Sequence, residues 1–416
     1  MTKQSWRALV VLASVALAGA LVSPANSTVG VFLTPLIKEF GWSHAQASRI
    51  ATVLLLSFGV SGPALGWLLD RVAAQWVMAT GVVAVALAFL AASRVHSLGM
   101  LVALYAVIGI GVQAAYHIPG YVVTVNWFKR RRGAAMGFFL GVSTAGLALA
   151  PTPVTRLVLT RGWRFAMVCM ALPMLAVALP LVLVFARTRP SGEAAASDEQ
   201  ELLAGVPGLE VGPALRSISF WMLAVLQVAY FIAFNAVFYH LVPYLISIGY
   251  TPPAAAHIFG LQALGAVIGF FINGALTDRY GPRKIIMVGL IMDGCALIEL
   301  LGAGTSRMGL LPIVAFVMTW GTFASGITGM IPVLLAETLG LRRFGTLLGV
   351  LHFVGAVGAA ISPVLVGWLV DVTGSYRIVW QLLAVLVFGC LILLGLVRPA
   401  RGHDAIAEPM AATRAG

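Results

Sequence analysis

The chain has 416 residues, of which 60% are hydrophobic and only 10% charged, and its mean hydropathy is +0.99. An ordinary soluble domain is nearer half apolar and about a quarter charged, so a water-soluble globular protein is excluded. The net charge of +12 and pI near 10.2 raise the question of a nucleic-acid partner, but the bases form neither one face nor a tail. They sit in short knots between apolar runs, and no nucleic-acid partner is expected.

Each run is about 20 residues or longer, the length with which an α-helix crosses the hydrocarbon core of a bilayer. In order, the runs predict membrane helices over 6–36, 44–69, 75–93, 99–127, 133–158 and 163–187, then over 216–247, 252–277, 284–303, 308–336, 343–371 and 376–398. The opening segment, MTKQSWRALVVLASVALAGALVSPANS, imitates a secretory signal, but hydrophobicity resumes at VGVFL and it reads as the first helix. Between the sixth and seventh runs lies RTRPSGEAAASDEQELLAGVPGLEVGPALRS, the long polar segment of the chain and a cytoplasmic linker by composition. The expected organisation is a six-helix bundle over 1–190, a linker over 191–215, a second six-helix bundle over 216–400 and a cytoplasmic tail over 401–416.

With the N-terminus inside, Lys3, Arg7, Arg71, the knot at 129–132, Arg187, Arg189, the bases from Arg279 to Lys284, Arg342, Arg343, Arg398 and Arg401 fall on one side. Scattered bases such as Lys38, Arg94, Arg161 and Arg377 remain on the other. This positive-inside pattern explains the pI without a polyanion. Both termini are then cytoplasmic, and the lack of a long targeting extension suits a bacterial inner membrane. Cys169, Cys295 and Cys390 each sit inside an apolar run, which favours small-hydrophobe packing over a disulfide framework.

The two halves repeat. Gly66, Asp70, Arg71 and Gly81 in GWLLDRVAAQWVMATG match Gly274, Asp278, Arg279 and Gly289 in GALTDRYGPRKIIMVG at an offset of 208 (274 − 66). The same offset aligns Pro35, Gly41, Trp42 and Ser43 with Pro243, Gly249, Tyr250 and Thr251. Further on the offset is 212 (345 − 133), with Gly133, Gly137, Gly146 and Pro151 matching Gly345, Gly349, Gly358 and Pro363. A six-helix unit has been duplicated, and two such units related by an axis along the membrane normal form the architecture of a large transporter class.

The loops DRVAAQW and DRYGPRK, following Gly66 and Gly274, resemble the G-x-x-x-D-R-x-G-R-[KR] signature of the major facilitator superfamily, and the resemblance spans essentially the whole chain. It implies an all-α membrane protein of twelve transmembrane helices in two pseudo-symmetric six-helix bundles, working as a secondary transporter by alternating access and not as an enzyme. It also implies that Asp70, Arg71, Asp278, Arg279, Arg283 and Lys284 form a cytoplasmic latch, since a carboxylate can cap a helix N-terminus and accept from a guanidinium. The first copy is degraded, with Ala73, Ala74 and Gln75 where Gly and bases are expected, and the bases also serve the positive-inside pattern.

Within the superfamily, NSTVGVFLTPLIKEFGWSHAQAS and NWFKRRRGAAMGFFLGVSTAGLALAP resemble the monocarboxylate transporter and oxalate:formate antiporter branch. That resemblance implies a small organic anion, monocarboxylate-like, moved in symport with protons. One departure matters: carboxylate carriers of the branch place an Arg four residues before the glycine that opens the eighth-helix signature, and here that position is Phe270. No Lys or Arg occurs from Ala254 to Thr277, and His352 and Phe353 stand where oxalate-type members keep a base in the eleventh helix. A dicarboxylate is therefore disfavoured.

Ionisable groups inside a membrane are functional candidates, because each costs about 2.5–3.5 kcal/mol on insertion scales. His117 in AAYHIPGY and His240 in FNAVFYHLVPYL each follow a tyrosine, Tyr116 and Tyr239, and precede a proline. Imidazole can donate to a carboxylate and titrate near neutral pH; the alternative is that each histidine ties a proline kink to a neighbouring carbonyl. Arg49 and His257, again 208 apart (257 − 49), are candidates for an electropositive outer entrance or gate, with snorkelling as the alternative. Asn26, Asn235, Gln262, Thr322 and His352 could orient a small-molecule substrate. Asp293 and Glu299, in the peripheral ninth helix, are assigned to helix pairing or interface exposure. No cofactor or metal motif is found. An exporter of hydrophobic or amphipathic compounds, favoured by Phe270, and a non-transporting membrane sensor on the same fold are the competing readings.

Overall fold

The computed structural model describes residues 3–129, 131–187, 208–303 and 310–398. The linker expected over 191–215 falls among them only from Gly208 onward, and the tail at 401–416 lies outside them. Among the described residues twelve helices are long and apolar enough to span a membrane: α1 (Trp6–Ser27), α2 (Gln46–Leu69), α3 (Ala74–Ala92), α4 (Leu98–Trp127), α5 (Arg132–Arg161), α6 (Trp163–Phe185), α7 (Ile218–Ser247), α8 (Pro252–Tyr280), α9 (Pro282–Gly302), α10 (Leu311–Leu339), α11 (Phe344–Thr373) and α12 (Tyr376–Leu396). They form two six-helix bundles. An even number of spans returns the chain to its starting side, so α2, α4, α8 and α10 end on the face where α3, α5, α9 and α11 begin. That face, the latch face, carries Asp70 and Asp278.

Local chemistry repeats with the sequence. Ser43 and Thr251, 208 apart, both cap the second helix of their half, accepting from Gln46 N and Ala254 N. At Ser43 the Gln46 side chain returns the bond, a complete capping box. Gly41 and Gly249, again 208 apart, carry the positive φ values, 67° and 103°, of the turns before those helices, a conformation that costs glycine nothing.

Two departures from regular helix have a common cause. In α4 the segment Gln113–His117 is a π-helix, and in α6 so is Met174–Ala178. Each ends two residues before a proline, Pro119 and Pro180, whose missing N–H frees a carbonyl one turn back. A third departure corrects a predicted boundary: the first span does not run to residue 36. It is interrupted at Ser23 and Thr28, either side of Pro24–Ser27, and a separate amphipathic helix Val29–Phe40 follows. Pro24 removes a ladder donor, while the Ser23 hydroxyl donates to Ser143 O of α5 (2.8 Å) and the Thr28 hydroxyl to Pro24 O (2.7 Å). The matching stretch of the second half has no proline, and α7 runs unbroken there.

Between helices in lipid, close backbone approach replaces the hydrophobic drive, so small residues decide the seam. Four helices bring the backbones of the halves into close approach, α2 with α11 and α5 with α8. A Cβ on Gly66 would lie 2.1 Å from Gly345 O, one on Gly349 2.2 Å from Gly62 O, and one on Gly133 2.5 Å from Gly274 O. Three of these helices present glycines four apart, Gly62/Gly66, Gly133/Gly137 and Gly345/Gly349. In α8 the pair is Phe270/Gly274, and 270 is Gly62 shifted by 208. Phe270 is buried, with its carbonyl against Gly137 and its ring against Gly329 of α10.

Candidate functional site

At the latch face the repeat closes into reciprocal clamps. Asp70, just past the end of α2, accepts from the backbone N–H groups of Gly345 (2.9 Å) and Thr346 (3.0 Å) at the start of α11, and from the Thr346 hydroxyl (2.5 Å). Asp278, near the end of α8, accepts from Gly133 N (2.7 Å) and Ala134 N (3.0 Å) at the start of α5. Each carboxylate therefore caps a helix of the other half, where orphan N–H groups and the positive end of the helix dipole favour an anion. Both clamps are engaged, so the halves are closed on this face.

The bases of the two loops act closer to home. Arg283 donates to Val397 O (3.0 Å) and Gly395 O (2.9 Å), satisfying carbonyls at the end of α12. Arg71 stacks over Trp67 at 3.8 Å and Arg279 over Tyr280 at 5.3 Å, while Lys284 is exposed. Beside the Asp70 clamp, Glu210 pairs with Arg342 and Arg343 at 2.9 Å each, and Leu209 N donates to Leu339 O (3.0 Å). The hydrogen bond from Arg343, reinforced by both guanidinium charges, holds the Glu210 carboxyl below the usual carboxylate range. On the opposite face Glu39 accepts from Arg164 (2.5 Å) and the Trp163 indole (2.6 Å), which likewise hold its carboxyl down and fasten Val29–Phe40 to α6.

Midway between the faces the halves meet through two imidazoles. His117 of α4 and His352 of α11 have ring centroids 4.9 Å apart at 74°. Tyr121 stacks on His352 (5.5 Å, 29°) and stands edge-on to His117 (5.3 Å), with Phe58 of α2 5.0 Å from His117. His352 is eight residues into α11 and His117 ten residues from the end of α4, or about 12–15 Å of rise from the latch face, near the centre of a core about 30 Å thick. His117 Nδ1, His352 Nε2, Thr124 Oγ1 and both amide atoms of Gln113 are buried without a hydrogen-bond partner. Such atoms are costly unless something supplies the missing bond. The site thus offers neutral donors and acceptors, with no Lys or Arg among the residues named.

Of the remaining candidates Tyr116 adjoins the pair, and the others lie apart from it or are already engaged. His240 bonds Tyr376 Oη (3.3 Å) and Pro363 O (3.2 Å) within its own half. Asn235 donates to Phe231 O of its own helix, and Tyr239 is 40% exposed beside Phe238. The Thr322 carbonyl accepts from Asn273 (2.7 Å). Gln262 is buried with Oε1 unpartnered, and Asn26 has a buried, unpartnered Oδ1 in the interrupted part of α1. Tyr116 is buried beside His117. Arg49 and His257 are exposed near the starts of α2 and α8.

A family model described as "Major Facilitator Superfamily" matches residues 15–355 and 247–413. The chain belongs to the major facilitator superfamily. Solved structures of superfamily members share the fold: the transporter FucP in an outward conformation superposes with TM-score 0.72 at 17% identity over 95% of this chain and 100% of its own. The proton:xylose symporter XylE gives 0.75 at 14% over 95% and 97%. Among curated relatives, bovine "Monocarboxylate transporter 13" is 28% identical over 89% of this chain and 84% of its own. The "Uncharacterized MFS-type transporter YcxA" of Bacillus subtilis is 24% identical over 88% and 87%, and the "Probable L-galactonate transporter" of Escherichia coli 24% over 89% and 83%. This major facilitator is an integral membrane secondary transporter, similar to monocarboxylate carriers.

Four residues of the central site, Gln113, Tyr121, Thr124 and Phe58, escaped the sequence reading. Gln113 lies one turn before His117 and Tyr121 one turn after it, a spacing that shares a helix face, but both read as ordinary helix polarity and aromaticity. Phe58 carried no signal at all.

Proposed function

We propose that this major facilitator carries a small monocarboxylate together with a proton, and that His117 and His352 are where the two meet. The observation that carries the reading is the juxtaposition of these imidazoles across the seam of the halves, each with a buried ring nitrogen lacking a partner. Neutral imidazole presents one N–H and one acceptor nitrogen. Two such rings, with the Gln113 amide on the same helix face, can donate to a carboxylate without a fixed cation. Both rings charged at once would repel by about 3 kcal/mol at an effective dielectric near 20, so the pair takes one proton. That proton neutralises one bound carboxylate, and the loaded site is uncharged while the halves rock.

Three further points support the reading. Curated relatives named for monocarboxylates and L-galactonate cover most of this chain. Phe270 occupies the position of the branch's arginine, which removes a permanent charge and leaves recognition to a titratable pair. The base-rich latch face is cytoplasmic by the positive-inside rule, so in the closed-latch state the site faces outward, and passage inward requires release of Asp70 and Asp278.

Reconstituted transporter challenged with lactate, pyruvate, oxalate and a lipophilic cation, with and without an inward proton gradient, tests the proposal. Gradient-stimulated uptake of lactate or pyruvate and not of oxalate is the expected result. Uptake of the lipophilic cation alone would favour the hydrophobic-compound exporter to which the buried Phe270 also points, and no flux of any probe would favour a sensor.

A further inference from the structure

Asp293 is the most deeply buried carboxyl of the described residues. It lies on α9, fully buried, and neither carboxylate oxygen has a hydrogen-bond partner. Eleven residues separate it from Pro282 and nine from Gly302, about 16 and 13 Å of helical rise, so it sits near the membrane centre at the depth of the histidine pair. Neither helix pairing nor interface exposure, the roles its sequence position suggested, describes this environment. Glu299, six residues on, is different: it accepts from Thr319 at 2.8 Å.

Charged groups do not compensate Asp293. Among the described residues none forms a hydrogen bond with Asp293, and Tyr230 of α7 lies within its electrostatic reach. The Tyr230 hydroxyl already donates to Ala324 O of α10 (2.9 Å). An uncompensated carboxylate at this depth carries a free-energy cost that a bound proton removes. An apolar residue of similar size would avoid the difficulty entirely, so a carboxyl here needs a use.

Its surroundings suggest one. Tyr230 sits on α7, which packs against α11, the helix of His352. A Cβ on Gly355, three residues after His352 in α11, would lie 2.8 Å from the Gln227 side chain and from the Phe231 ring, the residues flanking Tyr230 on α7. Gln227 Oε1 is itself buried and unpartnered. Packing thus joins the His352 turn at Gly355 to Gln227 and Phe231 on α7, and Tyr230 between them interacts electrostatically with Asp293.

We infer that Asp293 is a second proton-binding site, inside the C-terminal half, whose loading and release follow the state of the histidine pair through α7. This rests on the proton-coupled reading above for its role in transport, but not for its existence as a site. The step is a simple proton exchange between the Asp293 carboxyl and water, with no bond between heavy atoms made or broken.

Two readouts on the full-length protein separate the possibilities. In lipid nanodiscs, infrared difference spectra between acid and alkaline pH should show a protonated-carboxyl C=O band that disappears in Asp293→Asn; an unchanged band overturns the site whatever the substrate is. In proteoliposomes, Asp293→Asn should keep lactate counterflow while losing the part of the gradient-driven accumulation that a second proton adds to that of the histidine pair, about tenfold per pH unit, since 1.4 kcal/mol is a factor of ten. Asp293→Glu should retain it. Accumulation by Asp293→Asn equal to that of the wild type overturns the coupling role. Wild-type protein that accumulates no lactate under a gradient refutes the proton–monocarboxylate reading instead, and the infrared band still decides whether Asp293 binds a proton.

Discussion

Replacing Asp278 by Asn removes one carboxylate oxygen and its charge from the start of α5. In the wild type Oδ1 accepts from Gly133 N (2.7 Å) and Oδ2 from Ala134 N (3.0 Å) across the seam. Hydrogen bonds to a charged group contribute about 1.5–3 kcal/mol each, and Asn can keep one of the two in a weaker, neutral form. An anion at a helix N-terminus adds about 0.3–1 kcal/mol. The closed latch should therefore lose about 2–3 kcal/mol, a shift of about 30- to 150-fold in the closed-to-open ratio. Asp70, with three accepted bonds, still holds the other clamp. Spin labels at Trp76 and Met287, exposed sites near the latch face in opposite halves, report the opening by pulsed dipolar spectroscopy once Cys169, Cys295 and Cys390 are replaced by Ala. A longer-distance population should appear in Asp278→Asn and be largest in the double variant with Asp70→Asn. Identical distance distributions in wild type and both variants would show that the clamps do not hold the halves.

The seam makes its own prediction: Gly66→Ala drives a Cβ to within 2.1 Å of Gly345 O and should favour the open-latch distances, with a cost of about 1–3 kcal/mol typical of overpacking. Gly260→Ala, with nothing within 4 Å, should leave them unchanged. For Glu39, whose folded carboxyl is held down by Arg164 and Trp163, the stabilisation is present above the ordinary carboxylate range and is lost as pH falls through the depressed folded value. The pair is substantially exposed, so thermal melts of Glu39→Gln should trail the wild type by at most about 1 kcal/mol at neutral pH, with the gap closing in acid; a gap that widens in acid contradicts the assignment. If Arg49 and His257 form an electropositive entrance, Arg49→Ala and His257→Ala should each raise the half-saturating concentration of an anionic substrate, and unchanged apparent affinity for every substrate would sink that idea.

Much of the architecture was legible because duplication leaves its record in residues with strict backbone or charge requirements. The 208 offset linked Asp70 to Asp278 and Ser43 to Thr251, and the structure uses the first pair as seam clamps and the second as helix caps. The 212 offset linked Gly133 to Gly345, the two helix starts those carboxylates seize. The break of the first helix was not legible, since apolarity continues through Pro24–Ser27 and into Val29–Phe40. Nor was the partner of His352: a meeting of α4 with α11 is set by the crossing of two bundles, for which no short sequence spacing exists. Asp293 shows the same limit, because the ninth helix reads as peripheral from sequence while the face that its carboxyl occupies is fixed only by packing.

The central claim is that His117 and His352 together bind the carboxylate and its proton. Initial rates of lactate uptake into proteoliposomes, measured against concentration and external pH for the wild type, His117→Gln and His352→Gln, address it directly. Loss of one hydrogen bond to a charged group, about 1.5–3 kcal/mol, should raise the half-saturating lactate concentration by about 10- to 100-fold in each variant and flatten the stimulation of uptake by acid pH. Wild-type affinity and wild-type pH dependence in both variants would contradict the claim.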